Sequence, residues 1–329
     1  MSDKPETKET GLIPRENNSL ATRSSGLVRR GLDDLISKQA RIVRFPPDRS
    51  IGIFRLSDHD VTTLIMRALL VFDKKSTSEA RGNITVPPGK RLFLKIDREA
   101  STDLSYLTNL MPDDIYSLDL GWTQVSDASL ADIQGLNGLQ DLSLASTQIS
   151  DAGLENVRPL TVLRELDLHG TPISDIGLAS LEGLTRLCSL DLSNTLITDA
   201  GLIYLGRLAG LQNLKLKGTK TSDVGLGYLR ELTTLQLLDV SETQVSDRGL
   251  AHVRSLTNLQ HLNIAGTQVG DAGLEHLSKL NGLSSLNLTG TQISDPGLGH
   301  LRKLTILKEL DLEGTLISDS GLRNLRELN

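Results

Sequence analysis

Residues 163–186 read LRELDLHGTPISDIGLASLEGLTR, and the leucines in this stretch follow two rhythms in succession. Residues two apart share a face of an extended strand, so Leu166 and Leu168 point one way while Glu165 and Asp167 point the other. Leu178, Leu181 and Leu184 then recur every third residue, which suits one or two turns of α or 3₁₀ helix burying a single face. The predicted unit is therefore a short strand followed by a short helix.

The same pattern fills the chain on both sides of this stretch. Units of 24 residues begin at Ile115, Leu139, Leu163, Leu187, Leu211, Leu235, Leu259, Leu283 and Leu307, the last one residue short. Position four is Leu in every unit, from Leu118 to Leu310, and positions one and six are always apolar. Position nine is Thr throughout, from Thr123 to Thr315. A hydroxyl there is expected to bond backbone groups where the chain leaves the strand, and stacked units are expected to carry these hydroxyls as a continuous ladder. Position thirteen is Asp throughout, from Asp127 to Asp319, just before the helical leucines, where a carboxylate is expected to cap exposed amides and meet the positive end of the helix. Position fifteen is Gly from Gly153 to Gly321, with Ser129 in the first unit, and is expected to let neighbouring coils approach closely. Nine equivalent threonines without neighbouring bases make no nucleophile.

On these residues the chain resembles the leucine-rich-repeat superfamily over residues 115–329. The T-x-I-S-D-x-G-L half of the unit is similar to that of bacterial repeat proteins with T-D-A-G-L units, and more distantly to the cysteine-containing repeats associated with F-box domains. Thr stands where those families usually carry Asn or Cys, and the N-terminal segment shows no F-box. The resemblance implies an α/β fold: a right-handed leucine-rich-repeat solenoid, a horseshoe or arc with a parallel concave sheet, short outer helices and a mainly β N-terminal cap. It also implies a protein-protein interaction scaffold that binds a protein or peptide on the concave strand face. The alternatives are a docking platform for a regulatory N-terminal domain and an F-box-type substrate adaptor.

Net charge is −6 with both signs interspersed, so no global basic field favours nucleic acid or anionic membrane as a partner. No basic start followed by an apolar run opens the chain, and no stretch approaches eighteen apolar residues. With a single cysteine, Cys188, these features give a cytoplasmic expectation. No G-x-x-x-x-G-K-[ST], H-E-x-x-H, G-x-S-x-G or C-x-x-C occurs, and no enzyme activity, metal or cofactor is expected.

Three regions are expected. Residues 1–40 are a polar, disordered tail, within which Ser25–Lys38 places Leu27, Val28, Leu32, Leu35 and Ile36 at roughly helical spacing, a short docking helix. Residues 41–114 form the cap with a degenerate first repeat. RIVRF and IGIFRL flank Pro46-Pro47-Asp48 as one hairpin, GNITV and KRLFLKI flank Pro87-Pro88-Gly89 as a second, and Val61–Phe72 carries a helical apolar face. All four phenylalanines fall in this region, so it has its own bulky set to bury, and a cap is what the open end of a solenoid requires. Residues 115–329 are the nine repeats.

The outward-pointing strand positions and the residues just after them give the candidate partner-binding row: Asp119, Asp141, Glu165, Asp167, His169, Asp191, Lys215, Lys217, Asp239, His261, Asn263, Asn287, Glu309 and Asp311. It is acidic in both halves, with a basic island of Lys215, Lys217 and Lys220, so a basic peptide or protein surface is the expected ligand. His252, His276 and His300 share position eighteen in successive units and read as stacked surface residues rather than zinc ligands. The last strand edge, protected by Lys308, Glu309 and Glu313, leaves an end-to-end homodimer as a further expectation.

Overall fold

A computed structural model describes residues 40–57 and 77–325. The tail with its docking helix, the helix over Val61–Phe72 and the last four residues lie outside the described residues.

Each unit contributes a strand of three residues at its positions three to five: β6 (Ser117–Asp119), β7 (Asp141–Ser143), β8 (Glu165–Asp167), β9 (Ser189–Asp191), β10 (Asn213–Lys215), β11 (Leu237–Asp239), β12 (His261–Asn263), β13 (Ser285–Asn287) and β14 (Glu309–Asp311). All pair in parallel and in register, so Leu118, Leu142 and their equivalents stack down the inside of the sheet. Positions six, sixteen, nineteen and twenty-two complete the interior. One apolar cluster runs unbroken from Val43 to Leu307, and most of its leucines are inaccessible to solvent. The helical segments are as short as the triplet spacing predicts. They pass from α to 3₁₀ geometry within a coil, as at Asp151–Leu154 and Glu155–Val157, or are wholly 3₁₀, as at Gly297–Lys303.

The strands are short because the chain turns sharply at position eight. In all nine units this residue has positive φ, between 54° and 67°. Five are glycines, for which the left-handed region carries no steric penalty, but Trp122, Ser146, Asn194 and Glu242 also adopt it.

The cap differs from the two-hairpin expectation. Strands form where the sequence places them, at β1 (Arg41–Arg44), β2 (Gly52–Ser57), β4 (Asn83–Val86) and β5 (Arg91–Ile96), with a short β3 (Ser78–Glu79), but they exchange partners. β1 pairs antiparallel with β4, and β2 pairs antiparallel with β5 and β3. The reason lies in β5, whose other edge pairs in parallel with β6 and so extends the solenoid sheet. Pro87-Pro88-Gly89 does make a tight turn, closed by the Lys90 N–H on the Pro87 carbonyl at 3.1 Å. It carries the chain around a corner between two sheets instead of folding it back within one. The large sheet thus has twelve strands, ending in β3 at the cap and in β14 at the other side, where Glu309 and Asp311 face solvent.

Two of the unit's polar positions also work differently from expectation. The position-nine threonines donate inside their own coil, to the carbonyl of position six: Thr171 Oγ1 to Leu168 at 2.6 Å, Thr267 to Ile264 at 2.6 Å, and likewise in all nine units. No ladder runs through them, because a carbonyl three residues back across a tight turn is nearer than the next coil, about 4.8 Å away. Helix capping falls to the serine at position twelve. Ser150, Ser174, Ser222 and Ser246 each accept the N–H two residues on. The aspartate at thirteen follows in the first turn, and its carboxylate reaches to the next coil. Asp151 accepts the Ser174 N–H at 2.8 Å and its hydroxyl at 2.5 Å, and Asp271 accepts the same pair from Ser294. The ladder between coils is this aspartate–serine staple. Glycine at fifteen makes room for it: a Cβ at Gly249 would stand 2.5 Å from Asp223 Oδ1. In the first coil Ser129 replaces glycine, and its own hydroxyl takes the Ser126 N–H at 2.9 Å that a preceding aspartate would otherwise accept.

Candidate concave-face binding site

The fourteen candidate residues lie on consecutive strands of the parallel sheet or in the turns just after them, on the side away from the leucines. Strand spacing of about 4.8 Å brings equivalent side chains within reach of one another, and several are tied together. Lys95 Nζ meets Asp119 Oδ2 at 2.8 Å, and Lys215 Nζ meets Asp191 Oδ2 at 3.2 Å, so cations stand among the aligned carboxylates as mutual repulsion requires. Lys217 pairs with Glu242 at 3.1 Å, and Asn263 Nδ2 donates to Asp239 at 3.1 Å. The basic island is therefore largely neutralised by its neighbours, with Lys220 left exposed.

Position five carries a structural duty that the pattern of Asp and Asn signals but that charge alone does not. The side chains of Asp119, Asp167, Asp191, Asp239, Asn263, Asn287 and Asp311 each accept the backbone N–H two residues on, at 2.9–3.1 Å, closing the turn out of the strand.

The row is not uniformly open. Asp119, Asp167, His169, Lys215, Lys217, Asp239, His261, Asn263 and Asn287 are half-buried, and only Glu309 and Asp311 are exposed. Asp141, Glu165 and Asp191, expected to face solvent, are buried, with Glu165 only 1% exposed. In-register side chains on adjacent strands screen one another, which alternation along a single strand does not reveal. Burial and the nearby Glu165 carboxylate also raise the Cys188 thiol above its usual range. Burial, followed by Asp141, pushes the Tyr116 hydroxyl up to about 12.

Trp122 is a candidate that charge-based reasoning passes over. It is the chain's one tryptophan, is 71% exposed, and sits with φ of 63° at the rim of the sheet, in the turn that leaves β6. The signal is in the alignment of units, since a bulky aromatic occupies a position that five units give to glycine. Tryptophan is a preferred anchor in protein interfaces. His252 and His276 are half-buried and His300 exposed on the helical side. Among the described residues no three His, Cys, Asp or Glu side chains group as metal ligands, and no helix is long and apolar enough to cross a membrane.

The leucine-rich repeat family profile matches residues 160–181, 255–278 and 281–301. Among solved structures, the internalin inlF from Listeria monocytogenes aligns at 30% identity with a TM-score of 0.59, covering 69% of this chain and 63% of the internalin chain. The chain thus spans less than two thirds of that relative. A second Listeria internalin, inlC2, aligns at 30% identity over 60% of this chain and 81% of its own, with a TM-score of 0.47. The ectodomain of the Arabidopsis receptor kinase HAESA, solved with a peptide hormone, aligns at 22% identity over 63% of this chain and 36% of its own, with a TM-score of 0.49. Among curated proteins, none matches the chain.

Proposed function

Because the chain belongs to the leucine-rich-repeat superfamily, we propose that it is a recognition scaffold that takes a protein or peptide on its concave strand face and performs no chemistry of its own. The observation that carries this reading is the parallel row of polar side chains presented at one-strand intervals across ten strands of one sheet, a surface long enough to grip an extended ligand at several points. The residues that recur most strictly are already engaged in the fold: every position-nine threonine donates to a carbonyl, and every position-thirteen aspartate from Asp127 to Asp295 holds the next coil. Asp239, Glu309 and Asp311 give the accessible part of the row an acidic balance, which supports a basic segment as the ligand. β5 pairing with β6, and the core continuing into Val43, support a cap that completes the solenoid over a separately docked regulatory domain. The lone, half-buried thiol of Cys188 is compatible with the reducing compartment proposed for it.

The test is retention of partners from cells that express the protein. His261→Glu with Ser285→Arg changes half-buried positions of the concave row that do not close a turn, and Ile176→Arg changes an exposed position on the helical side as a control. A protein retained by the native chain and the control but lost from the concave variant supports the reading. Equal retention by all three, or no retention by any, overturns it.

A further inference from the structure

Positions ten and fourteen lie on the flank where each coil passes from strand to helix, and both are exposed in all nine coils. Position ten is Gln in five coils, and position fourteen is Ala, Arg, Pro or Ser in seven. The third, fourth and fifth coils depart from this. Ile176 and Val224 at position fourteen, Leu196 at position ten and Ile203 at position seventeen are each more than half exposed. Among the described residues, the second, sixth and seventh coils expose no large apolar side chain. Polar or small residues serve at the same positions of the same coil geometry, so the fold does not require these four.

The four residues form one patch. The Leu196 N–H donates to the Ile173 carbonyl at 2.9 Å, which sets Leu196 beside Ser174, two residues before Ile176. A parallel bridge ties Thr198 to Lys220 of the next coil, so coils on this flank keep the strand spacing of about 4.8 Å. Ile176 and Val224, two coils apart, then stand about 10 Å from each other with Ala200 between them. Ile203 follows Ala200 by three residues, about one helical turn. Monomers rarely leave more than a few hundred Å² of contiguous apolar surface in water, and larger patches mark interaction sites.

We propose that a second copy of this chain covers the patch, in a two-fold pairing centred on the fourth coil, with the third coil of each copy facing the fifth of the other. The order of side-chain sizes selects this occupant. Along position fourteen the patch reads Ile176, Ala200, Val224: large, small, large in either direction. Reversal therefore sets Ile176 against the partner subunit's Val224 and Leu196 against its own counterpart, while Ala200 lets the two backbones approach. An isologous interface has to be self-complementary in this way. Charge agrees with size. Just outside the patch the second coil exposes Glu155 and the sixth exposes Arg248, and the pairing that opposes the third and fifth coils also opposes these two, acid to base at both ends. Glu155 meets Arg158 at 3.4 Å on an exposed surface, a contact worth little, so its carboxylate is available. The position-thirteen carboxylates in between are turned along the stack, Asp175 onto Thr198 and Asp199 onto Ser222. The concave row lies on the strands, which this pairing does not use, so the proposal stands apart from the reading of that row.

The experiment is sedimentation equilibrium of the full chain over roughly a thousandfold range of concentration. The native chain is expected to pass from monomer to dimer. Ile176→Asp and Val224→Arg each set a charge against an apolar side chain of the partner subunit, and each is expected to raise the dissociation constant at least about tenfold. The sixth coil already carries Arg248 at position fourteen, so a charge there is compatible with the fold, and an unchanged thermal unfolding midpoint checks this for each variant. Mixed in equal amounts, the two variants are expected to regain the dimer, because one contact becomes a carboxylate against a guanidinium while the other remains Ile176 against Val224. A native chain that stays monomeric overturns the proposal. So does a dimer indifferent to both variants, or a pair of variants that stays monomeric when mixed. A dimer kept by Ile176→Asp but lost with Leu316→Arg, at an exposed leucine of the last coil, places the interface at the end of the stack and also overturns it. Ile176→Arg, the control in the retention experiment, is expected to be monomeric and still to hold an outside partner, so failure of one reading leaves the other standing.

Discussion

The carboxylate of Asp223 accepts both the backbone N–H and the hydroxyl of Ser246, each at 2.7 Å, across the boundary between one coil and the next. Removing it leaves a part-buried amide and hydroxyl without their acceptor. Asp223→Ala is expected to destabilise the protein by about 1.5–3 kcal/mol, the range for hydrogen bonds to a charged group, and Asp223→Asn by less than half as much because its oxygen still accepts the N–H. Gly249→Ala presses a methyl group on the same carboxylate. Its effect is expected to combine with Asp223→Ala less than additively, with a coupling of roughly 0.5–3 kcal/mol in urea unfolding. Strict additivity would show that the glycine does not serve the staple.

The seventh coil offers the reverse experiment. Gly270 stands where the other coils carry a serine or threonine, so Asp247 receives only the backbone N–H, at 2.7 Å. Its φ of −119° suits any residue, and a Cβ there would meet nothing closer than 3.7 Å. Gly270→Ser is expected to stabilise the protein by about 1 kcal/mol through a restored hydroxyl bond and helix cap. An unchanged or lower unfolding midpoint would contradict this.

Trp122 separates stability from recognition. Its positive φ is a strained conformation for a bulky residue, and its side chain is mostly in solvent. Trp122→Gly is expected to leave stability unchanged or raise it by up to about 1 kcal/mol, while weakening partner retention if the ring is an interface anchor. Thermal unfolding and retention measured on the same preparation check both halves, and a marked loss of stability would show that the ring packs structurally.

Acid is expected to loosen the coil boundary at Asp295. Its carboxyl is held below the ordinary 3.8, first by the Ser318 hydroxyl, then by the Ser318 N–H and the Ser320 hydroxyl. A depressed carboxyl contributes stability that is present above its unfolded value and is lost as pH falls through the folded one. The advantage of the native chain over Asp295→Asn is therefore expected to be full at neutral pH, to start declining at about pH 4 and to be lost only as pH falls through the lowered folded value, as followed by unfolding midpoints over that range. A constant difference would assign the staple to an uncharged hydrogen bond.

Much of this architecture is legible in residues 163–186. Leu166 and Leu168 alternate as a strand requires, Leu178, Leu181 and Leu184 recur as a short helix requires, and all five are buried where their spacing places them. Gly153 and its equivalents were readable as close approaches, although not what they approach. The strands of the cap are in the sequence too, but their partners are not: Arg41–Arg44 and Gly52–Ser57 look like a hairpin until β5 is recruited to the solenoid edge.

What the sequence by itself determined is which side of the chain turns inward, because side-chain direction repeats with the period of the local backbone and needs no knowledge of neighbours. What only the tertiary structure decided is who meets whom: Asp223 with Ser246 rather than its own helix, β2 with β5 rather than β1, and Glu165 screened rather than solvated. Those outcomes depend on distances between segments far apart in the chain, which stacking sets and local pattern does not encode.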